Sequence, residues 1–186
     1  MSGLTDGPPT WARMQPERLH HVERVVGVLD RWAEALAVPE GERTRWRTAG
    51  WLHDALKDAE HSELVSLLDP EFAAAPRALW HGPAAAARAA MDGENDRGVL
   101  DAVRYHTVGC AGWDAVGKML FLADFLEPGR PFAGTDRDRW SRRVTDGPEG
   151  VEDVLVAVLR ARIAHRRTGG RAVHPRTEEW WNAIGR

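Results

Sequence analysis

The 186-residue chain holds one cysteine and one tyrosine, and only two of its 25 basic residues, Lys57 and Lys118, are lysines. A lone Cys110 forms no intrachain disulfide and builds no thiolate zinc cage. Against 28 acidic residues the formal charge is −3, so the chain lacks the cationic excess that sequence-independent nucleic-acid binding requires. No apolar run approaches the roughly 18 residues of a membrane span. Residues 1–15 carry no signal-peptide core. These absences predict a cytoplasmic protein with neither nucleic acid nor membrane as a partner. Alternating apolar and polar residues are missing as well, which excludes β-strands of useful length.

What is present is an ordinary globular composition, 43% hydrophobic and 28% charged, over a length suited to one domain with a sizeable core. The Gly- and Pro-bearing residues 1–15 read as a flexible arm and residues 16–186 as a single all-α domain. Pro16 suits a first helical turn, and Leu19, Val22, Val25, Val26, Leu29 and Trp32 recur at helical steps. Further helices are predicted from about Glu42 to Lys57, near Leu64–Leu68, and from His81 through the alanine run 84–90. Others are predicted over Val99–Tyr105, Ala115–Leu126 and Val151–His165, with a short closing helix at Trp180-Trp181. The polar stretch Pro131–Gly150 has room for at most a short helix.

Eight histidines stand against the single tyrosine, and several of them interrupt apolar segments. In Trp51-Leu52-His53-Asp54-Ala55-Leu56 an imidazole and a carboxylate share a hydrophobic helical stretch. Either backbone and water satisfy the pair, or both groups turn to a metal ion that offsets the cost of burying them. Asp124 lies in the equally apolar Met119–Leu126, and His21 lies on the core-facing side of the first helix. Three helices thus each deliver a nitrogen or oxygen ligand. Two histidines and two carboxylates without sulfur suit Fe, Mn, Co, Ni or Zn with open water positions. His81 and His106 fit as ligands of a second ion bridged by Asp54, or as partners of a substrate phosphate. For His61, His165 and Cys110 structural or solvent roles are expected.

These segments resemble the HD-domain phosphohydrolases, whose signature matches His21, His53-Asp54 and Asp124. The finer resemblance is to the YqeK-like HD-domain family, the symmetrical diadenosine tetraphosphate (Ap4A) hydrolases. It is carried by Arg18-Leu19-His20-His21, Leu52–Lys57, Leu79-Trp80-His81-Gly82-Pro83, Leu100–Gly109 and Leu122–Arg130, and it runs from about residue 18 to residue 180. It implies an HD-domain helical bundle in which His21, His53, Asp54 and Asp124 hold iron or a similar divalent cation, with one or two ions. It further implies that His81, His106 and Arg130 contact the nucleotide's phosphates, and that His174-Pro175-Arg176-Thr177 closes over the same ligand. His21 and Asp54 would also face the substrate. The family's pattern selects His21 over its neighbour His20.

The expected chemistry is metal-assisted hydrolysis of a phosphoanhydride, Ap4A giving two ADP. The ion would activate water, while fixed cations meet the phosphoryl oxygens. Asp54 would orient the water as well as bind metal. Lys57, three residues on, is either a second catalytic group or a lysine ending a helix, where the dipole favours it. Two other readings remain at this point. One is a different HD phosphohydrolase, acting on nucleoside mono- or triphosphates or cyclic nucleotides; the other is a non-catalytic nucleotide-binding module. A homodimer is compatible with all three.

Overall fold

In a computed structural model, which describes residues 7–130 and 136–185, the central element is the helix α7 (Ala115–Leu126). Its residues from Met119 to Leu126 are all buried, as a helix apolar on every side must be. Asp114 caps it, accepting from the backbone N–H groups of Val116 and Gly117. Around it pack α1 (Pro16–Ala35), α2 (Glu40–Leu52), α6 (Arg97–Tyr105), α8 (Asp136–Val144) and α9 (Pro148–Thr168). The short helices α3 (His61–Leu67) and α4 (Pro70–Ala73) and a 3-10 turn at Arg77–Leu79 lead into α5 (His81–Met91), which lies along α6. Helix α10 (Pro175–Ile184) closes the chain against α9. No strand occurs among the described residues.

Two close approaches set the frame. A Cβ on Gly50 would meet Val26 Cγ2 at 2.9 Å, so glycine lets α2 lie tight on α1. A Cβ on Gly82 would stand 2.8 Å from the Val103 carbonyl oxygen and 3.1 Å from His106 Cε1. Glycine there holds α5 against the end of α6.

The structure departs from the sequence expectation in two places. The helix expected to reach Lys57 ends at Leu52, and residues 53–58 form successive turns. Their bonds are three residues apart, from Ala55 N–H to Leu52 O and from Lys57 N–H to Asp54 O. The freed groups go elsewhere: Ala55 O accepts from Arg13 N–H at 2.7 Å, and Asp58 N–H donates to Arg13 O at 3.1 Å. The second departure is the other half of that contact. Of the arm expected over residues 1–15, residues 1–6 lie outside the described part, but residues 7–15 lie against the domain. Trp11 is buried, its Nε1 donates to Asp92 at 3.1 Å, and Gln15 N–H donates to Asp58 Oδ2 at 2.8 Å. One large aromatic outweighed the local glycine and proline signal.

Candidate metal centre

Six buried side chains from five parts of the chain meet at one end of the bundle. His21 comes from α1, His53 and Asp54 from the turn after α2, and His81 is the first residue of α5. His106 caps the end of α6, and Asp124 sits on α7. A straight helix would swing His53 and Asp54 to diverging faces, and the turn after Leu52 avoids that. In the turn both face the same centre.

The groups form two triads whose candidate ligand atoms lie within 4.8 Å of one another: His21, His53 and Asp124, and Asp54, His81 and His106. Asp54 joins them. Its Oδ2 stands 3.7 Å from both His21 Nε2 and His53 Nε2, while Oδ1 stands 3.1 Å from His81 Nε2 and 3.5 Å from His106 Nε2. His20, one residue from His21, is exposed, whereas His21 is buried beside His53 and Asp124.

The imidazoles are held from behind. His53 Nδ1 donates to Gly50 O at 2.7 Å, His106 Nδ1 to Val103 O at 2.7 Å, and His21 Nδ1 to Glu127 Oε1 at 3.1 Å. That leaves the Nε2 atoms facing inward, 3.3 Å apart for His21 and His53 and 3.1 Å apart for His81 and His106. Burial lowers His53 and His81 to about 4, against an ordinary 6.5, so both are neutral near pH 7. His53, neutral and with its Nδ1 proton committed to Gly50 O, turns a lone pair toward His21 Nε2, an arrangement that a cation between them stabilises. Burial opposes the charge on Asp54 and Asp124, but the surrounding histidines, with Arg130 beside Asp124, hold both well below the usual carboxylate range. Neutral nitrogens and ionised carboxylates are the donor set a divalent ion requires.

Cations ring the cluster. Arg18 pairs with Asp54 at 2.8 Å, Arg24 with Glu127 at 2.6 Å, and Arg130 with Asp124. These arginines line a cleft of about 440 Å3 that opens onto His21. On the other flank, Lys57 Nζ lies 3.2 Å from His81 Nε2, and with Arg77 it lines a cavity of about 240 Å3. The sequence reading overlooked Arg18, Arg24, Arg77 and Glu127 as site residues. Glu127 carried a usable signal, being an acidic residue directly after the apolar Phe125-Leu126 end of α7.

The expected segment 174–177 makes contacts of its own beside the loop after α6. His174 caps α10 and lies parallel to the ring of Phe72, 6.5 Å away. Pro175 opens α10, Arg176 pairs with Glu71, and Thr177 Oγ1 donates to Val108 O at 2.6 Å. These contacts reach α4 and the loop after α6, and none of them is to the six-residue cluster.

Residues 18–129 match the HD domain. The chain belongs to the HD-domain family. This HD-domain protein is 31% identical over 127 residues to the symmetrical bis(5'-nucleosyl)-tetraphosphatase of Bacillus subtilis, covering 64% of the present chain and 68% of that one. It is 30% identical over 130 residues to the protein of the same name from Staphylococcus aureus, at 67% and 66% coverage. Among solved structures it resembles a protein from Clostridium acetobutylicum described as a "predicted HD superfamily hydrolase involved in NAD metabolism". That likeness has a TM-score of 0.77 at 24% identity, covering 92% of this chain and 90% of the other. The HD-domain protein is accordingly a phosphohydrolase with an all-helical fold and His/Asp clusters able to hold divalent metal.

Proposed function

We propose that the protein cleaves dinucleoside tetraphosphates symmetrically, adding water across the central phosphoanhydride of Ap4A to give two ADP. The observation that carries this reading is the pair of triads joined by the two oxygens of Asp54, set between flanks of arginine and lysine. Relatives named for that activity support the choice of substrate.

In this reading His21, His53 and Asp124 hold one ion, and Asp54, His81 and His106 hold a second. Iron is the preferred metal, with Mn, Co, Ni and Zn compatible with the same donors. A divalent cation there supplies Lewis-acid polarisation and an activated water. The chain's own groups do the remainder. Asp54, ionised and between the two triads, accepts a hydrogen bond from the water and fixes its direction of approach. Arg18 and Arg130, already hydrogen-bonded to Asp54 and Asp124, turn their remaining N–H groups toward phosphate oxygens. Lys57 meets the phosphate on the His81 side, where charge grows on the departing ADP.

The test is separation of the nucleotide products after incubating metal-loaded enzyme with Ap4A. ADP as the sole product supports the reading. AMP with ATP, or an inert Ap4A alongside rapid dNTP or AMP hydrolysis, would overturn it. Nucleotide binding without any turnover would leave a non-catalytic module.

A further inference from the structure

The segment that precedes α1 is tied to the parts of the chain that carry the cluster. Trp11 is buried in the core, donates from Nε1 to Asp92 Oδ2 at 3.1 Å, and has the Arg88 guanidinium 5.5 Å from its ring centroid. Arg88 lies on α5, the helix that His81 opens, and Asp92 caps its end. Two residues after Trp11, the backbone of Arg13 runs beside the turn of residues 53–58. Its N–H donates to Ala55 O at 2.7 Å, and its carbonyl accepts from Asp58 N–H at 3.1 Å. Gln15 N–H then donates to Asp58 Oδ2 at 2.8 Å. Pro16 begins α1, and Arg18 in its first turn pairs with Asp54 Oδ2 at 2.8 Å. From Trp11 to Arg18 the chain thus joins α5, the 53–58 turn and α1, which carry His81, His53, Asp54 and His21.

The turn depends on this support. The apolar period of α2 runs on through Ala55-Leu56, so local preference favours continued helix. Against that preference the turn has only bonds spanning three residues, from Ala55 N–H to Leu52 O and from Lys57 N–H to Asp54 O. Ala55 is fully buried, and a buried carbonyl deprived of its donor is costly. The bond from Arg13 therefore stabilises the turned path over the helical one. Trp11 belongs to neither triad, so whatever it does for the ligands it does through the turn.

We propose that residues 11–15 are a positioning clamp for the metal centre, with Trp11 as its anchor. With Trp11 seated, the 53–58 turn holds His53 and Asp54 toward a common centre. With it released, the turn relaxes toward helix, the two side chains diverge, and metal affinity falls. The clamp rests on the metal centre of the proposed function but not on the choice of nucleotide. Coupling of this kind is reciprocal: metal binding must tighten the clamp by the factor that the clamp contributes to metal binding.

The experiment measures Mn2+ affinity by competition with a chelator in full-length wild type, Trp11→Ala, Trp11→Phe and Leu155→Ala. Hydrogen exchange of residues 11–15 and 53–58 is followed by mass spectrometry with and without Mn2+. Trp11→Ala should weaken Mn2+ by about 10- to 100-fold, the range for losing a group that orients metal ligands. Trp11→Phe, which keeps a ring in the core, should recover most of that loss. Leu155, fully buried on α9, which carries no cluster residue, is the control: Leu155→Ala should lower the melting temperature but keep wild-type affinity. In wild type, saturating Mn2+ should slow exchange in both segments, and this arm of the test stands even if Trp11→Ala does not fold. Unchanged affinity in Trp11→Ala, an equal loss in Leu155→Ala, or exchange of residues 11–15 that ignores Mn2+ would each overturn the clamp and leave the metal centre standing. Wild type that binds no Mn2+ would instead overturn the metal centre, and the clamp with it.

Discussion

At the residue scale the decisive feature is Asp54, whose two oxygens look toward different histidine pairs. Behind the histidines the arrangement depends on residues that touch no substrate. Glu127 accepts from His21 Nδ1 and is held in turn by Arg24 and by the backbone N–H of Gly129. Glu127→Gln keeps the shape but loses the charge that fixes the ring. Metal affinity, measured by competition with a chelator, should fall by about 10- to 100-fold. Lys57 is the second case. In a chain with 23 arginines it is one of two lysines, and it lies where a compact ammonium fits beside the His81 ring. Burial lowers its pKa despite the nearby carboxylate of Asp54. Lys57→Arg should reduce turnover by about tenfold at unchanged metal content, the scale of one displaced charge-assisted contact. An unchanged rate would remove Lys57 from the catalytic reading.

At the element scale, the helices were largely legible because each carries its own apolar period and stop signal. Helix α7 begins after its Asp cap and ends before Glu127-Pro128-Gly129, as its sequence implies. The turn at residues 53–58 was not legible, since its apolar residues continue the helical period. Only contact with Arg13, 42 positions before Ala55 in the chain, diverts the backbone, and such a contact leaves no local trace. The same reasoning explains the site. His and Asp intrusions into apolar helices pointed to His21, His53, Asp54 and Asp124, with His81 and His106 added from helix ends, whereas Arg24 and Arg77 sit on faces where an arginine is unremarked. Element packing also sets the geometry of the second triad. Gly82→Ala would drive a methyl group into the Val103 carbonyl and the His106 ring, moving α5 away from α6. We expect a loss of about 1–3 kcal/mol in urea denaturation. One ion per chain should be lost as well, because His81 and His106 ride on the two helices being separated.

At the scale of the whole molecule, the net charge of −3 supplies no overall cationic excess and is silent about a pocket. In the proposed function phosphate recognition is local, by a few guanidiniums whose charge is cancelled elsewhere. Acid stability follows from the same buried groups. In the metal-free protein, His53 and His81 titrate near 4 when folded and near 6.5 when unfolded. Between these values the unfolded chain binds more protons, so stability is full above 6.5 and declines as pH falls toward 4. A second decline comes from carboxylates held low. At Asp96 the partner is chiefly Arg45; at Glu71, Arg176 and Arg104 outweigh the opposing effect of burial. Their contribution is complete above their usual 3.8 and 4.5, and is lost as pH drops through the depressed folded values. Urea midpoints measured from pH 8 to pH 3 in chelator should therefore fall in two stages, the first beginning near 6.5. Added divalent metal should steepen the first stage, because protons and the ion compete for the same nitrogens.

Whether the joined triads are a metal centre can be read from anomalous diffraction of crystals grown with Mn2+. Two peaks per chain are expected, one among His21, His53 and Asp124 and one among Asp54, His81 and His106. Crystals with no peak among these six residues, from protein that binds manganese in solution, would contradict it.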